Sequence, residues 1–130
     1  MKEEDIQTAV SYYKLAKEHN WDDDYEALYG ILLDPGCDRG TALMIYWLGK
    51  PKYFCQFANK MEVPSYDREN YALLKMIEKK YSTYPAIISY DPKEDIVEYE
   101  DVEVKFPIDP VFYEPVKGII SKEELKKRIG

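Results

Sequence analysis

The sequence predicts a mainly α-helical protein: a small bundle of four or five helices, an extended segment long enough for a β-hairpin, and a short terminal helix. Apolar residues recur at intervals of three and four through residues 1–82, which is typical of amphipathic helices. After Tyr84-Pro85 this periodicity gives way to β-branched and aromatic residues interrupted by prolines. The last stretch is basic and begins with Ser-Lys-Glu-Glu, which matches a capping box at a helix N-terminus.

Caps and breakers define the predicted helix boundaries. Pro35 ends the second helix at Asp34, because proline disfavours helical geometry in the residue before it. Asp38 is a suitable N-cap for the third helix, and Gly49 is suited to end it in a left-handed conformation. The predicted segments are Glu3 to Glu18, Asp22 or Asp23 to Asp34, Asp38 to Gly49, a short extension over 50–60, Ser65 to Tyr81, and Ser121 to Arg128.

The third helix is predicted to form the centre of the core. Its body, Ala42 to Leu48, has no polar face, and a helix that is apolar on all sides is normally buried. Trp47 lies in this run, and Trp21 is a further core candidate. A chain of 130 residues with 45% hydrophobic content can form one core without disulfides or metals.

We therefore expect one domain over residues 1–130, with a helical core over 1–82, an extended acidic segment over 83–118 and a short basic helix over 119–130. Two features of the sequence make opposite predictions for the structure of the extended segment, so its structure is left open. Val97 to Phe106 alternates acidic and apolar residues, which favours a hairpin. The prolines on both sides restrict strands to edges or short pieces, which favours an extended chain wrapped on the bundle.

Composition and charge exclude several classes of protein. No apolar run approaches the roughly 20 residues of a membrane span, and the start, MKEEDIQTAV, lacks the features of a secretory signal. Cys37 and Cys55 are too few for a secreted disulfide scaffold and are expected to be free thiols. The formal charge of −7 opposes binding to nucleic acid. We expect a soluble cytoplasmic protein that binds neither nucleic acid nor membranes, and its oligomeric state is open.

Motifs for catalysis, cofactors and structural zinc are missing from the sequence. His19 is the only histidine, so a nucleophile with a base would require one of the two cysteines beside it. Structural zinc needs four nitrogen or sulfur ligands, and the chain has three such residues. There is no glycine-rich phosphate loop. We expect no enzymatic activity, no cofactor and no metal.

One acidic cluster bears a partial likeness to a calcium-binding loop. Asp22, Asp24 and Glu26 match its first, third and fifth positions, but Ala27 and Leu33 stand where a glycine and a bidentate glutamate are required. Carboxylates at this place favour the start of a helix. A small enzyme or metal-dependent domain that uses the carboxylates of residues 22–26 is kept as one alternative, and a structural helical domain as another.

Almost all of the net negative charge lies in residues 91–115, which carry nine acidic and two basic residues. Acids and aromatics alternate there, a pattern that fits a docking face for a basic protein as well as a solvated edge that resists aggregation. The candidate partner-binding residues are Asp95, Glu98, Tyr99, Glu100, Asp101, Glu103, Phe112 and Tyr113. The sequence favours a non-catalytic protein-interaction domain, for example an immunity protein that neutralises a basic toxin such as a nuclease.

Two short motifs resemble a known family. Asn20 to Asp24, "NWDDD", and Cys37 to Leu48, "CDRGTALMIYWL", resemble the signature of the bacterial domain of unknown function 4274 family. Asp24 stands where that family usually has glycine. The resemblance covers residues 19–49 and implies a small, bacterial, mostly helical protein, and it supplies no catalytic residues. Its expected structural signature residues are Trp21, Asp22, Asp23, Cys37, Asp38, Gly40 and Trp47.

Overall fold

Five α-helices form the framework of the molecule, according to a computed structural model that describes all residues 1–130. The helices are α1 (Glu3–Glu18), α2 (Glu26–Leu33), α3 (Arg39–Leu48), α4 (Arg68–Lys80) and α5 (Lys122–Ile129). Short 3-10 helices occupy Pro51–Gln56, Lys60–Glu62, Ser65–Asp67, Tyr81–Thr83, Pro92–Glu94 and Pro110–Tyr113. The prediction of a mainly helical fold is confirmed.

Helix α3 lies at the centre of the core, as its composition predicts. Every residue from Gly40 to Trp47 is buried, and Tyr46 and Trp47 are its largest fully buried side chains. Helices α1 and α4 both pack against α3. Their buried stripes are Ala9, Val10, Tyr13 and Ala16 on α1, and Tyr71, Leu73, Leu74 and Ile77 on α4.

The predicted boundaries are confirmed for α1 and α3, but α2 begins later than expected, at Glu26. The side-chain oxygens of Asn20 and Asp24 accept hydrogen bonds from the backbone amides of Asp22 and Glu26, at 3.0 and 3.1 Å. Such bonds offer the backbone a turn in place of a helix, so the acidic cluster precedes the helix and does not form its first turn.

Two other details of the caps differ from the sequence prediction. Gly49 ends α3 at φ −75°, and the left-handed residue is Lys50, at φ 59°. Ser65 does not cap α4: it lies in a 3-10 turn that joins the helix at Arg68. The helical extension predicted over 50–60 is the 3-10 helix Pro51–Gln56.

The C-terminal segment forms no β-hairpin. Its β pairing consists of two isolated bridges, Ile88 with Ile120 and Tyr90 with Val116. The alternating stretch has no buried face, because Val104 and Phe106 are 59% and 49% exposed. It is attached to the bundle instead, where the amides of residues 105 and 106 donate to the carbonyl of Cys55 at 3.0 and 2.9 Å. The chain therefore wraps on the bundle in extended form.

Helix α5 closes the molecule against α1. The hydroxyl of Ser121 accepts a hydrogen bond from the amide of Glu124 at 3.2 Å, as the capping motif predicts, and Leu125 is buried. Arg128 binds the carboxylates of Glu124 and Glu3, which joins the two ends of the chain. No helix combines the length and apolar character that crossing a membrane requires.

Candidate interaction surface

Asp38 is the one charged side chain that is buried, and its carboxylate is saturated by backbone amides. Its Oδ1 atom accepts from Thr41 at 2.9 Å, and its Oδ2 atom accepts from Gly40, Ile87 and Ile88 at 3.1, 3.2 and 2.7 Å. The side chain is 0% exposed. A carboxylate that is enclosed and fully hydrogen-bonded is suited to hold the backbone together and has no contact with a substrate.

The residues beside Asp38 have structural roles as well. A Cβ atom on Gly40 would lie 2.2 Å from the carbonyl oxygen of Ile88, so only glycine permits this approach. Cys37 is buried, and desolvation together with the charges of Asp38 and Asp34 raises the pKa of its thiol to about 12. Its reactive thiolate form is therefore suppressed at neutral pH.

No cysteine is paired with the single imidazole. Both thiols are free, and they donate to the backbone carbonyls of Asp38 and Pro51. His19 is half-buried and meets the edge of the Trp21 ring at a centroid distance of 6.0 Å. These contacts assign all three side chains to packing.

The acidic cluster before α2 lies on the surface. Asp22, Asp23 and Asp24 are exposed, and Asp24 is engaged by the amide of Glu26. No three histidine, cysteine or carboxylate side chains of the chain are grouped in a way that could hold a metal ion. Asp22 lines a surface groove together with Trp21 and Tyr25, whose rings are 5.6 Å apart.

Two of the five candidate partner-binding acids are already paired within the chain. Asp95 accepts a hydrogen bond from the hydroxyl of Tyr90 at 2.6 Å, and Glu98 forms a salt bridge with Lys52 at 2.6 Å. The other three acids, Glu100, Asp101 and Glu103, are exposed and make no side-chain hydrogen bond or salt bridge. We call residues 98–103 the acidic segment.

The three aromatic candidates lie in different environments. Tyr99 is half-buried with its ring 6.1 Å from that of Tyr53, and Tyr113 is 40% exposed. Phe112 is buried: its ring stacks on Tyr46 at 4.9 Å, and its carbonyl accepts a hydrogen bond from the indole of Trp47 at 2.8 Å. Phe112 therefore belongs to the core, and including it among the surface anchors was wrong.

A groove of about 700 Å³ lies next to the acidic segment, and we call it the aromatic groove. Four parts of the chain that are distant in sequence form it: the turn before α2, the region from the end of α3 to the following 3-10 helix, the start of α4, and Tyr99. Its rings and charged side chains are those of Trp21, Tyr25, Tyr53, Phe54, Tyr66, Tyr99, Asp22, Asp67 and Lys50. No motif in the sequence predicts this groove, and the content of 13 tyrosines is the one feature that favours half-buried aromatic rings at the surface.

The electrostatic environment of the groove is negative. Burial raises the pKa of Tyr25, and the carboxylates of Glu69, Asp67 and Asp22 raise it further. Burial also raises the pKa of Tyr53, and the nearby carboxylate of Asp67 raises it further. Lys50 is the one cationic side chain of the lining. The groove thus presents ring faces and carboxylates together.

The fold and these sites define a small helical domain whose recognisable motif holds the backbone together. The family model described as "Domain of unknown function (DUF4274)" matches residues 7–82, more than half of the chain, and the chain belongs to this family. No curated protein and no solved structure shows a significant match. The family match contains Asp38 and most of the aromatic groove, whereas the acidic segment lies outside it.

Proposed function

We propose that this protein is a non-catalytic interaction domain of the bacterial cytoplasm that binds a basic protein, and that it acts as an immunity protein which neutralises a basic toxin. The observation that carries the proposal is the set of exposed, unpaired carboxylates of Glu100, Asp101 and Glu103, which follow the half-buried Tyr99 in the chain. Inhibition by binding needs a complementary surface and no catalytic group.

The charge distribution supports a basic partner. The net charge of −7 attracts a positively charged protein over the Debye length, and a local cluster of carboxylates orients the encounter. Tyr99 and Tyr113 are partly exposed, and partly exposed tyrosines are typical anchors at the centre of protein interfaces. The docking face therefore comprises the acidic segment and Tyr113, without Phe112.

The alternative of a small enzyme or metal-dependent domain has less support. It would depend on the carboxylates of residues 22–26 or on the cysteines. The carboxylate of Asp24 accepts a hydrogen bond from the backbone amide of Glu26. Both thiols are buried, and burial raises their pKa values. The remaining carboxylates of that cluster are exposed on the surface.

Charge reversal in the acidic segment tests the proposal. The triple variant Glu100→Lys, Asp101→Lys and Glu103→Lys is compared with Glu4→Lys, Glu18→Lys and Glu123→Lys, which reverses three exposed acids elsewhere and changes the net charge equally. The ligand is a purified basic toxin, sought first among the products of the genes adjacent to this one, and its dissociation constant is measured by calorimetry at two salt concentrations.

We expect the acidic-segment variant to weaken binding by about tenfold or more and to reduce its salt dependence. The matched variant should retain nearly the affinity of the unmodified protein. Equal weakening of binding in both variants would show that affinity depends on the net charge alone and not on the acidic segment. Unchanged binding in both variants would refute the acidic docking face.

A further inference from the structure

The aromatic groove combines ring faces with carboxylates, which is the chemistry that recognises an organic cation. We propose that it binds an arginine side chain of the basic partner, an inference that rests on the proposed function for the identity of that partner. The acidic segment would then orient the encounter, and the groove would hold one anchoring side chain.

The walls of the groove are two pairs of aromatic rings. Trp21 and Tyr25 form one pair, with centroids 5.6 Å apart, and Tyr53 and Tyr99 form the other at 6.1 Å. Tyr66 also belongs to the lining and is 83% exposed, so its ring is free to contact a ligand. Cations are attracted to the faces of such rings, and tryptophan and tyrosine are the strongest partners.

Charge complementarity selects a cation over a neutral apolar side chain. The lining carries Asp22 and Asp67, and Glu69 is close enough to raise the pKa of the Tyr25 phenol. Lys50 is exposed and is the single opposing charge. Arginine fits better than lysine, because the planar guanidinium stacks on rings, loses its hydration more easily and donates two parallel hydrogen bonds to one carboxylate.

The groove is continuous with the proposed docking face through Tyr99. This residue lies between Glu98 and Glu100 in the chain, and its ring forms part of the groove. A basic segment attracted by the acidic segment therefore reaches the groove by crossing one shared residue. This continuity distinguishes the groove from the lysine-lined cleft between α1 and α5, whose charge is opposite.

NMR titration of the full-length protein tests the arginine pocket without the natural partner. The probe is a capped hexapeptide with one arginine, and the control is the same peptide with citrulline, its neutral isostere. The chain has two tryptophans, so two indole N–H signals report on it. We expect the arginine peptide to shift the Trp21 signal saturably and to leave that of Trp47 in place, because Trp47 is buried and bonded to Phe112. The citrulline peptide should shift neither.

Two adjacent aspartates provide matched variants. Asp22 lines the groove and Asp23 does not, and both are exposed, so neither change should affect folding. Asp22→Asn should weaken peptide binding by about two- to fivefold, while Asp23→Asn leaves it nearly unchanged. Tyr66→Ala should weaken binding by about two- to fivefold, and Tyr66→Phe, which keeps the ring, should restore it.

Several outcomes would overturn the inference. Equal shifts with the arginine and citrulline peptides would show that the groove does not recognise the positive charge. Equally strong binding of tetramethylammonium would show that the groove binds organic cations in general and is not selective for arginine. A Trp21 signal that does not move would refute the arginine pocket. It would leave the acidic docking face untouched, because the charge-reversal test of that face changes no residue of the groove. Peptide binding in the groove combined with no effect of charge reversal would refute the acidic docking face alone.

Discussion

The carboxylate of Asp38 accepts hydrogen bonds from the backbone amides of Ile87 and Ile88, which follow it by 49 and 50 positions in the chain. The amide of Arg39 donates to the carbonyl of Pro85 at 2.8 Å, so the start of α3 and the segment after α4 are joined by reciprocal bonds. Ile87 and Ile88 lie just beyond the family match, which ends at residue 82. Asp38 thus attaches the C-terminal segment to the helical core.

Removing this carboxylate should destabilise the protein strongly. Asp38→Asn keeps the shape of the side chain but replaces one acceptor oxygen with a donor, so amides that bond to that oxygen lose their partner inside the core. We expect the free energy of unfolding to fall by about 2–3 kcal/mol for Asp38→Asn and by about 4 kcal/mol for Asp38→Ala, measured by urea denaturation.

Asp101→Asn is the control for the Asp38 variants. It makes the same chemical change on an exposed, unpaired side chain and should alter stability by less than about 0.5 kcal/mol. Similar losses at both positions would show that the buried carboxylate has no special role.

Two glycines should respond to alanine in opposite directions. A Cβ on Gly40 would lie 2.2 Å from the Ile88 carbonyl oxygen, so Gly40→Ala must displace the segment that Asp38 holds, and we expect a loss of several kcal/mol. Gly30 lies within α2 with nothing within 4 Å of an added Cβ. Gly30→Ala should stabilise the protein by about 0.5–1 kcal/mol, because alanine has the higher helix propensity.

Thermal or urea unfolding of the two variants side by side checks this prediction. A loss of stability in Gly30→Ala, or an unchanged Gly40→Ala, would contradict the packing described for α3.

The helical half of the fold could be predicted from sequence because its signals are local. The apolar body of α3, its Asp38 cap and the periodicity of α1 each specify one element without reference to the rest of the chain. The start predicted for α2 is three or four residues too early. The side chains of Asn20 and Asp24 accept hydrogen bonds from backbone amides that a helix would otherwise use.

The C-terminal half of the fold and the aromatic groove depend on contacts between residues that are distant in the chain. The spacing of apolar residues along the sequence does not predict such contacts. The alternation over Val97 to Phe106 favours a strand, but none of its apolar side chains is buried, and the amides of residues 105 and 106 donate to the carbonyl of Cys55. Phe112 resembled the exposed Tyr113 beside it in sequence, yet it stacks on Tyr46, which is 66 positions earlier. The aromatic groove needs four separate segments, so no single stretch of sequence reveals it.

Replacing Phe112 by alanine should reduce the free energy of unfolding much more than replacing its neighbour Tyr113. Phe112 is buried between Tyr46 and Tyr81, whose rings are 4.9 and 5.0 Å away, and Phe112→Ala should cost about 3–5 kcal/mol of stability. Tyr113 is 40% exposed, so Tyr113→Ala should cost less than about 1.5 kcal/mol. Denaturant midpoints measure both, and equal costs would contradict the assignment of Phe112 to the core.

Stability should fall as the pH rises above about 10. Desolvation by burial raises the pKa of Tyr13 to about 12, and the charges of Asp95 and Asp38 add to the effect. Burial raises the pKa of Tyr81 to about 12 as well. The ordinary pKa of a tyrosine is about 10, so the unfolded chain ionises first. The stabilising contribution of these groups is complete below pH 10 and is lost as the pH rises through 12.

The double variant Tyr13→Phe and Tyr81→Phe isolates this contribution, because neither hydroxyl makes a hydrogen bond within the chain and phenylalanine preserves the packing. Urea unfolding of both proteins is measured at a series of pH values from neutral to strongly alkaline. The unmodified protein should lose stability more steeply between pH 10 and 12, since it must either keep these phenols neutral or unfold to ionise them. Parallel pH profiles would mean that the two hydroxyls ionise equally easily in both states, which is incompatible with their burial beside α3.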